Sequence, residues 1–354
     1  MIQMKSGKAA PALLERSVFR PLHLAGAAGE DVAFGSDGWI LPAGHADTSC
    51  TVTNESGGSG WYGSTVTSVV GDPLDPSLWN LLYGIENNLA VCGAKWTRLV
   101  VCLVWPAAGR ERDLSEMMRQ ISSFCAQRGV QVWGGDTQIS SEVSRPVVTL
   151  TGYGQVQWQA KQPDSNAGRR IWMAGFAGEA GTAIVANACR DELLTRFPER
   201  LVHLALEARP DIARAAFASQ ESGCCALHDV SRGGVFAALW ELGEKLGCGF
   251  DVYLRKLPVR QETIEVCEYF GLNPCQLYGQ GALLLVTGAA DEEDDRALPA
   301  KLQEAGYPAA EIGICTDSRA RRILRGEEIR YLEKPAQDML EVLKNRRNAH
   351  ATGH

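Results

Sequence analysis

The chain has 354 residues, of which 45% are hydrophobic and 22% charged, a balance typical of a globular protein with room for two cores. Its formal net charge of -7 argues against a nucleic-acid-binding protein, because such proteins usually carry an excess of basic residues. No apolar stretch approaches the roughly 18 residues of a membrane span, and Pro11, Glu15 and Arg16 interrupt any signal-peptide core. The sequence therefore predicts a cytoplasmic protein without nucleic-acid or membrane partners.

Eleven cysteines are scattered along the chain. An odd number of cysteines without Cys-x-x-Cys spacing argues against a disulfide framework and against a zinc site. Most of them are expected to be small buried side chains, as free cysteines in reducing compartments usually are. Cys224 and Cys225 form a vicinal pair, and the sequence leaves the role of this pair open.

The first half of the chain alternates helical and strand patterns. Apolar residues at helical spacing predict a helix over residues 78–92, and Gly129 is the expected C-cap of a second helix. The expected elements, in order, are a helix over residues 12–19, strands at 29–34 and 49–53, a helix over 78–92, a strand over 99–105, a helix over 114–128, a strand over 130–133 that ends in a turn at 134–137, and a strand over 146–153.

The second half begins after a polar stretch at 157–170, which is the expected domain boundary. The expected elements are a strand over residues 171–176, helices over 181–189 and 211–220, a short strand ending at 228–229, a helix over 234–246, a strand over 282–287 and a helix over 294–305. The sequence therefore predicts a mixed α/β protein with an N-terminal domain over residues 1–160, a C-terminal domain over 165–340 and a tail over 341–354.

The segment His228-Asp229-Val230-Ser231-Arg232-Gly233-Gly234 carries the clearest chemical signal. A strand ends at Asp229, and Ser231 is the expected cap of the next helix. Arg232 supplies a fixed positive charge, and the two glycines let the backbone approach another group closely. Free amides at a helix start bind phosphate readily. The residues alone fit a capped helix packed on a neighbour equally well.

Two segments of the first half carry weaker signals. Gly134-Gly135-Asp136-Thr137 follows a strand and offers backbone donors and one carboxylate for Mg²⁺. Glu86–Lys95 places Asn87 and Asn88 on a helix, and an Asn carbonyl can ligate Mg²⁺ without adding charge. Taken singly, such segments are usually structural.

In their order along the chain, these segments resemble the ATP-binding superfamily of aminoimidazole ribonucleotide synthetase (AIR synthase, PurM-like), and most closely its HypE branch of hydrogenase-maturation proteins. His228–Gly234 is similar to the family's His-Asp-Pro-Thr-Arg-Gly-Gly, with Val230 in place of proline. Glu86–Lys95 resembles Asn-Asp-Leu-Ala-x-x-Gly-Ala-x-Pro, with Asn88 in place of the acidic residue. The other similar segments are Gly29–Ala33, Gly134–Thr137, Gly175–Ala186 and Gly279–Leu284, the last with Gln280 in place of glutamate.

The resemblance implies a two-domain PurM-like fold, with an N-terminal αβ domain whose sheet dimerises and a C-terminal α+β domain. It implies a homodimer that binds ATP with Mg²⁺. The implied nucleotide and phosphate ligands are Asn87, Asn88, Gly134, Gly135, Asp136, Thr137, Asp229, Arg232, Gly233 and Gly234. The implied metal ligands are Glu30, Asp31, Asp136 and Asp229, and a further metal position falls on Asn54 or, in a poorer alignment, on Asp47.

The activity that the resemblance implies is ATP-dependent activation of an oxygen by phosphorylation, on an unidentified small molecule or protein group. Hydrogenase or metallocofactor maturation is the implied setting, with another maturation protein as a partner. HypE acts on a C-terminal cysteine, whereas the last cysteine here is Cys315, so authentic HypE activity is not expected. Two alternatives stay open: a degenerate nucleotide-binding or regulatory homologue, favoured by Asn88 and Gln280, and thiamine-monophosphate-kinase-like phosphotransfer. The sequence identifies no catalytic residue.

Overall fold

The computed structural model describes residues 39–41, 60–159, 165–220, 222–288, 293–335 and 337–352, together with Glu15, Ser17 and Arg20. Outside the described residues lie Glu30, Asp31, Asp47 and Asn54, the strands expected at 29–34 and 49–53, and most of the helix expected at 12–19. Asp37–Gln159 form one compact unit, the N-terminal unit, and the described residues from 165 onward belong to a second, the C-terminal unit.

The N-terminal unit is a five-stranded sheet with two helices packed on one face. Its elements are β1 (Trp39–Leu41), β2 (Trp61–Val69), α1 (Leu78–Val91), β3 (Ala94–Pro106), α2 (Glu111–Arg128), β4 (Gln131–Ser140) and β5 (Val147–Val156). The strands lie in the order β1-β2-β5-β3-β4. β4 is parallel to β3, so the chain needs a crossover between them, which α2 provides, whereas the other pairs are antiparallel.

Local sequence explains both helices of this unit. A capping box starts α1, because the Ser77 hydroxyl accepts from the Asn80 amide and the Asn80 side chain accepts from the Ser77 amide. α2 ends at Gly129, whose φ of 67° is the left-handed conformation of a glycine C-cap, as predicted. Leu82, Ile85, Leu99, Ile121 and Phe124 are among the core residues that the helices and the sheet bury between them.

The turn predicted at 134–137 is wrong, because β4 continues through these residues to Ser140. β4 stays paired with β3 along its whole length, with one register shift beside Leu99. Gly135 has a φ of 155°, and a Cβ there would lie 1.7 Å from the carbonyl oxygen of Val101. The glycine therefore allows the close parallel pairing instead of forming a turn.

The C-terminal unit contains a seven-stranded sheet and most of the helices. Its strands are β6 (Arg170–Ala174), β7 (Ala226–Val230), β8 (Gly249–Tyr253), β9 (Ala282–Val286), β10 (Ala309–Thr316), β11 (Arg321–Arg325) and β12 (Glu328–Tyr331). Its helices are α3 (Glu179–Ala188), α4 (Arg190–Leu194), α5 (Glu199–Leu206), α6 (Ala213–Gln220), α7 (Gly234–Leu246), α8 (Gln261–Phe270), α9 (Glu293–Glu304) and α10 (Met339–Thr352), with a 3-10 turn at Leu254–Lys256. The strand order is β12-β11-β8-β10-β6-β9-β7.

Strands β7 and β9 are completely buried, although β7 is at one end of the sheet. All five residues of β9 are apolar, as expected for a strand covered on both faces. α7 begins and ends where the sequence predicts. The two units together make a mixed α/β protein, and no helix of the described residues combines the length and apolarity of a membrane span.

Residues 341–354, expected as a tail, overlap a helix that packs on the C-terminal unit. Within α10, Leu340 and Leu343 are each 4% exposed. The Arg346 guanidinium donates to the carbonyl oxygens of Phe270 and Gly271, and Arg347 pairs with Glu192. The segment is therefore held by apolar contacts near its start and by arginines further along.

Candidate functional site

Three glycine-containing segments meet at one edge of the seven-stranded sheet. β6 and β7 end at this edge and β9 and β10 begin there, since Val230 pairs with Ala282 and Ala174 pairs with both Leu283 and Ala309. We call this the glycine edge; it comprises the turn 228–234, residues 175–178 and residues 279–281. The Gly279 amide donates to the Ser231 carbonyl oxygen at 3.1 Å, so two of the segments are in direct contact.

A buried polar pair lies behind the turn. His228 is 1% exposed, and its Nε2 lies 3.2 Å from Oε2 of Glu241 on α7. Asp229 is also buried, at 4% exposure. Buried polar side chains need hydrogen-bond partners to offset the loss of water. The pair therefore ties the end of β7 to α7 and holds the His-Asp segment in one orientation.

The start of α7 differs from the expectation of a serine cap with free amides. The cap residue is Gly233, and no side chain caps the helix in the way predicted for Ser231. The Gly233 amide donates to Oδ2 of Asp338 at 2.6 Å. The Gly234 amide donates to the Ser231 carbonyl oxygen, and the Phe236 amide donates to that of Cys275. Protein oxygens therefore occupy three amides at this helix start.

Asp338 serves two helices at once. Its Oδ2 accepts from Gly233, and its Oδ1 accepts from the Leu340 amide at 2.8 Å, which caps the first turn of α10. Burial raises the pKa of Asp338 to about 6, although the two amides and the charge of Arg232 act in the opposite direction. Sequence reasoning missed this residue. The pattern Asp338-Met-Leu-Glu341 has the spacing of a helix N-terminus and was the available signal.

Close packing requires both glycines of the turn. Gly233 and Gly234 have φ values of 82° and 65°. A Cβ on Gly234 would lie 2.6 Å from the carbonyl oxygens of Cys275 and Leu277. The half-buried Arg232 next to them has its Nη1 3.7 Å from Oε1 of Glu341. The glycines are therefore explained by backbone geometry, and Arg232 brings the positive charge that the sequence predicted.

The predicted ligands of the N-terminal unit are divided between the two faces of its sheet. Asn87 and Asn88 lie within α1, on the helix-covered face; Asn87 is 1% exposed. The Nδ2 of Asn88 donates to the Ser64 hydroxyl on β2 at 2.9 Å. This hydrogen bond joins the helix to the sheet, which is a structural use of the side chain.

Asp136 lies on the opposite face, which we call the open face. Its Cα pairs with that of the exposed Cys102, which pairs in turn with Thr149, and strand alternation places all three side chains on the same side. Gly134 is on the open face, and Gly135 and Thr137 are on the other. The Thr67 and Thr149 hydroxyls are hydrogen-bonded at 3.0 Å across this face. The open face thus carries threonine hydroxyls and one carboxylate from the predicted set.

The described residues do not form a complete Mg²⁺ site. Asp136 and Asp229 belong to separate units. Among the described residues, no group of three or more His, Cys, Asp or Glu side chains is arranged to hold a metal. A divalent ion usually takes several oxygen ligands, so a metal site would need ligands beyond these two aspartates.

A cavity that the sequence did not indicate adjoins the glycine edge. Its volume is about 490 Å³, within the range of small-molecule sites, and its lining includes Gly175, Gly281 and Tyr307. Arg260 also lines it and pairs with Glu179 at 2.8 Å. The cavity therefore combines backbone, aromatic and charged groups within one unit.

Sequence models of the AIR synthase related protein family match the chain twice. The model of the N-terminal domain matches residues 66–156, and the model of the C-terminal domain matches residues 167–324. Together the two matches take in more than half of the chain.

Curated relatives include proteins of hydrogenase maturation. A putative hydrogenase expression/formation protein from Methanocaldococcus jannaschii is 27% identical over 218 residues, which cover 59% of this chain and 62% of the relative. Carbamoyl dehydratase HypE from Azotobacter vinelandii is 27% identical over 237 residues, 66% of this chain and 67% of that protein. The similarity thus spans about two thirds or less of each relative's length.

Solved structures with the same fold include two of HypE. The crystal structure of a HypE–HypF complex has a TM-score of 0.70 at 20% identity and covers 90% of this chain and 100% of that chain. The structure of HypE in complex with ATP has a TM-score of 0.66 at 18% identity and covers 96% and 98%. At these identities the likeness shows the fold, and it confirms the expected PurM-like architecture.

Proposed function

The chain belongs to the AIR synthase related protein family, and on that premise we propose that it binds ATP and uses it to phosphorylate an oxygen of its substrate. The observation that carries the proposal is the glycine edge, where Asp229, Arg232 and three glycine-containing segments converge. The HypE structure with ATP supports it, because that protein has the same fold. The substrate is a small molecule or a protein group of undetermined identity.

Arg232 and the Gly233 amide are the groups that would orient a phosphate in this proposal. A guanidinium donates to two phosphate oxygens at once and stays charged at any physiological pH. A phosphate would compete with Glu341 for Arg232 and with Asp338 for the Gly233 amide. Fixed donors of this kind stabilise charge that develops during phosphoryl transfer.

Mg²⁺ is proposed as the companion of ATP, with Asp136, Asp229, Glu30 and Asp31 as carboxylate ligands. Asn88 is a weaker candidate, because an amide oxygen brings no negative charge to the ion. The proposed roles of Asn87, Gly134, Gly135 and Thr137 in nucleotide binding carry over from the family motifs alone. The proposed domains are 1–160 and 165–340.

We also propose a homodimer formed through the N-terminal unit. Residues 131–139 of β4 are all exposed, and Trp133 and Ile139 are exposed at 64% and 58%. Exposed apolar side chains on an edge strand favour pairing with another chain. Trp133→Glu should convert the dimer to a monomer in analytical ultracentrifugation, whereas Tyr331→Glu, at an equally exposed position on β12, should not. A monomeric wild-type protein would contradict this.

Hydrogenase or metallocofactor maturation is the proposed setting, and another maturation protein is the proposed partner. The M. jannaschii relative and the HypE–HypF complex support both. Co-purification with a HypF homologue from the same genome would test the partner, and failure to bind it at micromolar concentration would remove it from the proposal.

A degenerate nucleotide-binding or regulatory protein is the second candidate. Asp338 occupies the Gly233 amide, and Asn88 makes a structural hydrogen bond, so two predicted ligands already have protein partners. Binding of ATP without turnover would favour this candidate. Thiamine-monophosphate-kinase-like phosphotransfer is the third, and phosphorylation of thiamine monophosphate would identify it.

Isothermal titration with ATP, with and without Mg²⁺, followed by a phosphate-release assay, separates these possibilities. We expect Arg232→Met to weaken ATP binding by about tenfold or more, the usual effect of losing a charged hydrogen bond. Arg330→Met, on the exposed strand β12, is the matched control and should bind like the wild type. No ATP binding at millimolar nucleotide, or equal behaviour of the two variants, would refute the proposed site.

A further inference from the structure

The cavity beside the glycine edge has a carboxylate in its wall and a guanidinium at its rim. This cavity, of about 490 Å³, is lined by residues of the C-terminal unit. Glu179, the first residue of α3, lines it and is 8% exposed. Arg209, in the connection between α5 and α6, also lines it and is exposed. A molecule in the cavity would therefore meet groups of opposite charge.

Glu179 has one carboxylate oxygen available to the cavity. Its Oε1 accepts from Nη1 of Arg260 at 2.8 Å, and Glu262 pairs with Nη2 of the same arginine at 3.0 Å. Among the described residues, no group donates to Oε2 of Glu179, and this oxygen is not closed off from solvent. Glu207 also lines the cavity; it is exposed, with its Oε1 3.7 Å from Nδ1 of His203. The carboxylates thus outnumber the arginine that pairs with them, and this surplus favours a ligand with an ammonium group.

Arg209 has no carboxylate partner within the part of the chain that the structure describes. Its Nη1 donates to the carbonyl oxygen of Gly306, and its guanidinium lies 5.3 Å from the centroid of the Tyr307 ring. Tyr307 is 4% exposed and donates through its hydroxyl to the Asp211 carbonyl oxygen, so the ring is a fixed support. An arginine positioned in this way keeps N–H donors for a carboxylate of a ligand.

The remaining wall of the cavity is apolar and closely packed. Phe176, Leu206 and Pro308 contribute apolar side chains. Gly175 and Gly281 contribute backbone, and a Cβ on Gly175 would lie 2.6 Å from the Gly281 carbonyl oxygen. Because these backbone segments are already in contact, the wall exists before a ligand binds, which lowers the cost of ordering it.

We propose that this cavity binds a free amino acid with an apolar side chain. The ammonium group donates to Oε2 of Glu179, and the carboxylate accepts from Arg209 at the rim. The apolar side chain packs against Phe176 and Leu206. An anion alone leaves the surplus of carboxylates uncompensated, and an amine alone leaves Arg209 without a partner, so a zwitterion fits the charges best.

This binding site is separate from the proposed phosphate site. The cavity shares Gly175, Phe176 and Gly281 with the glycine edge, but neither Asp229 nor Arg232 lines it. The amino acid therefore binds without ATP, and a titration without nucleotide succeeds or fails independently of the nucleotide proposal.

The first test compares three probes by isothermal titration of the full chain. They are L-leucine, 4-methylpentanoate, which lacks the ammonium group of leucine, and 3-methylbutylamine, which lacks its carboxylate. We expect leucine to bind about tenfold or more tightly than either analogue, because each charged hydrogen bond contributes about that factor. Equal affinities of the three probes would overturn the proposal. So would a failure of leucine, valine, methionine and phenylalanine to bind at millimolar concentration.

The role of Arg209 is tested by Arg209→Met, at an exposed position where the fold should tolerate the change. This variant should bind leucine about tenfold more weakly and 3-methylbutylamine as the wild type does, because only leucine carries the carboxylate. Arg330→Met, on the exposed strand β12, is the matched control and should leave both affinities unchanged. An equal loss for leucine and 3-methylbutylamine in Arg209→Met would contradict the proposed contact.

The role of Glu179 is tested by Glu179→Gln, which should show the opposite pattern. Leucine and 3-methylbutylamine should bind about tenfold more weakly, whereas the affinity for 4-methylpentanoate should not fall. Glu262→Gln is the matched control, because Glu262 pairs with the same Arg260 but does not line the cavity. Equal losses of leucine affinity in the two variants would overturn the assignment of Glu179. If Glu179→Gln does not fold, the response of Arg209→Met to the three probes still decides the proposal.

Discussion

Strands β4 and β7 share an aspartate and a nearby pair of glycines, but their surroundings are opposite. Each is an end strand of its sheet, and each carries an aspartate and a pair of glycines within or after it. Residues 131–139 of β4 are exposed, whereas all five residues of β7 are buried. In β7 the glycines follow the strand and start a helix that covers it; in β4 they lie inside the pairing region. The same residue types therefore acquire their role from what packs on them.

The largest expected effect comes from the glycines themselves. Gly234→Val should destabilise the protein by about 4 kcal/mol or more, because it combines a left-handed φ with contact against two carbonyl oxygens. Gly134→Val should change stability by less than about 0.5 kcal/mol, since nothing lies within 4 Å of its Cβ position. Urea denaturation of the two variants measures the difference. Similar losses of unfolding free energy in the two variants would contradict the expected difference between the buried turn after β7 and the exposed strand β4.

Core packing should give the next largest difference. Leu284 on β9 pairs with His228 and is 0% exposed, so Leu284→Ala should cost about 3 kcal/mol. Ile139→Ala on β4 removes a side chain that is 58% exposed in the single chain and should cost no more than about 0.5 kcal/mol in dilute protein, where the chain is monomeric. Urea unfolding at low and at high protein concentration measures both states. A larger loss that appears only at high concentration is what the proposed homodimer predicts, and a loss as large as that of Leu284→Ala in the dilute monomer would contradict the exposed position of Ile139.

The raised pKa of Asp338 predicts that the free energy of unfolding depends on pH. Its pKa is about 6 in the folded protein, above the ordinary 3.8, so the folded state binds the proton more tightly than the unfolded state. Its contribution to stability is therefore fully present below about pH 4 and is lost as the pH rises through about 6. Over this pH range, the contribution of Asp338 to the free energy of unfolding changes by about 3 kcal/mol at most.

Comparing wild type with Asp338→Asn by urea denaturation isolates that contribution, because the other titrating groups cancel. The stability advantage of the wild type should shrink between about pH 4 and 7. A constant difference across this range would show that Asp338 does not titrate there.

The smallest of these effects should come from the buried pair behind the turn. Glu241→Leu should cost about 2 kcal/mol, because it leaves His228 without its carboxylate partner in a water-excluded position. Glu116→Leu, in an exposed pair with Arg119 on α2, is the control and should cost less than about 0.5 kcal/mol. Equal losses would indicate that water reaches His228.

Sequence patterns succeeded where one local rule controls the outcome. Helices α1, α2 and α7 follow from apolar spacing, with glycine C-caps on α2 and α7, and the buried strand β9 follows from its apolar run. They failed at Gly135, where pairing with the distant Val101 determines the backbone conformation. They also failed at Ser231, which does not cap α7 as expected. Asp338 was missed because its partner Gly233 lies 105 residues away along the chain.

The sequence by itself determined the family, the mixed α/β class and the position of the His228–Gly234 turn, because these depend on residue order and on periodicity. Only the tertiary structure decided that the turn's amides already have acceptors and that Asn88 and Asp136 occupy opposite faces of a sheet. Hydrogen bonds, burial and charge act through space, so residues distant in the sequence determine which of its polar groups remain available for chemistry.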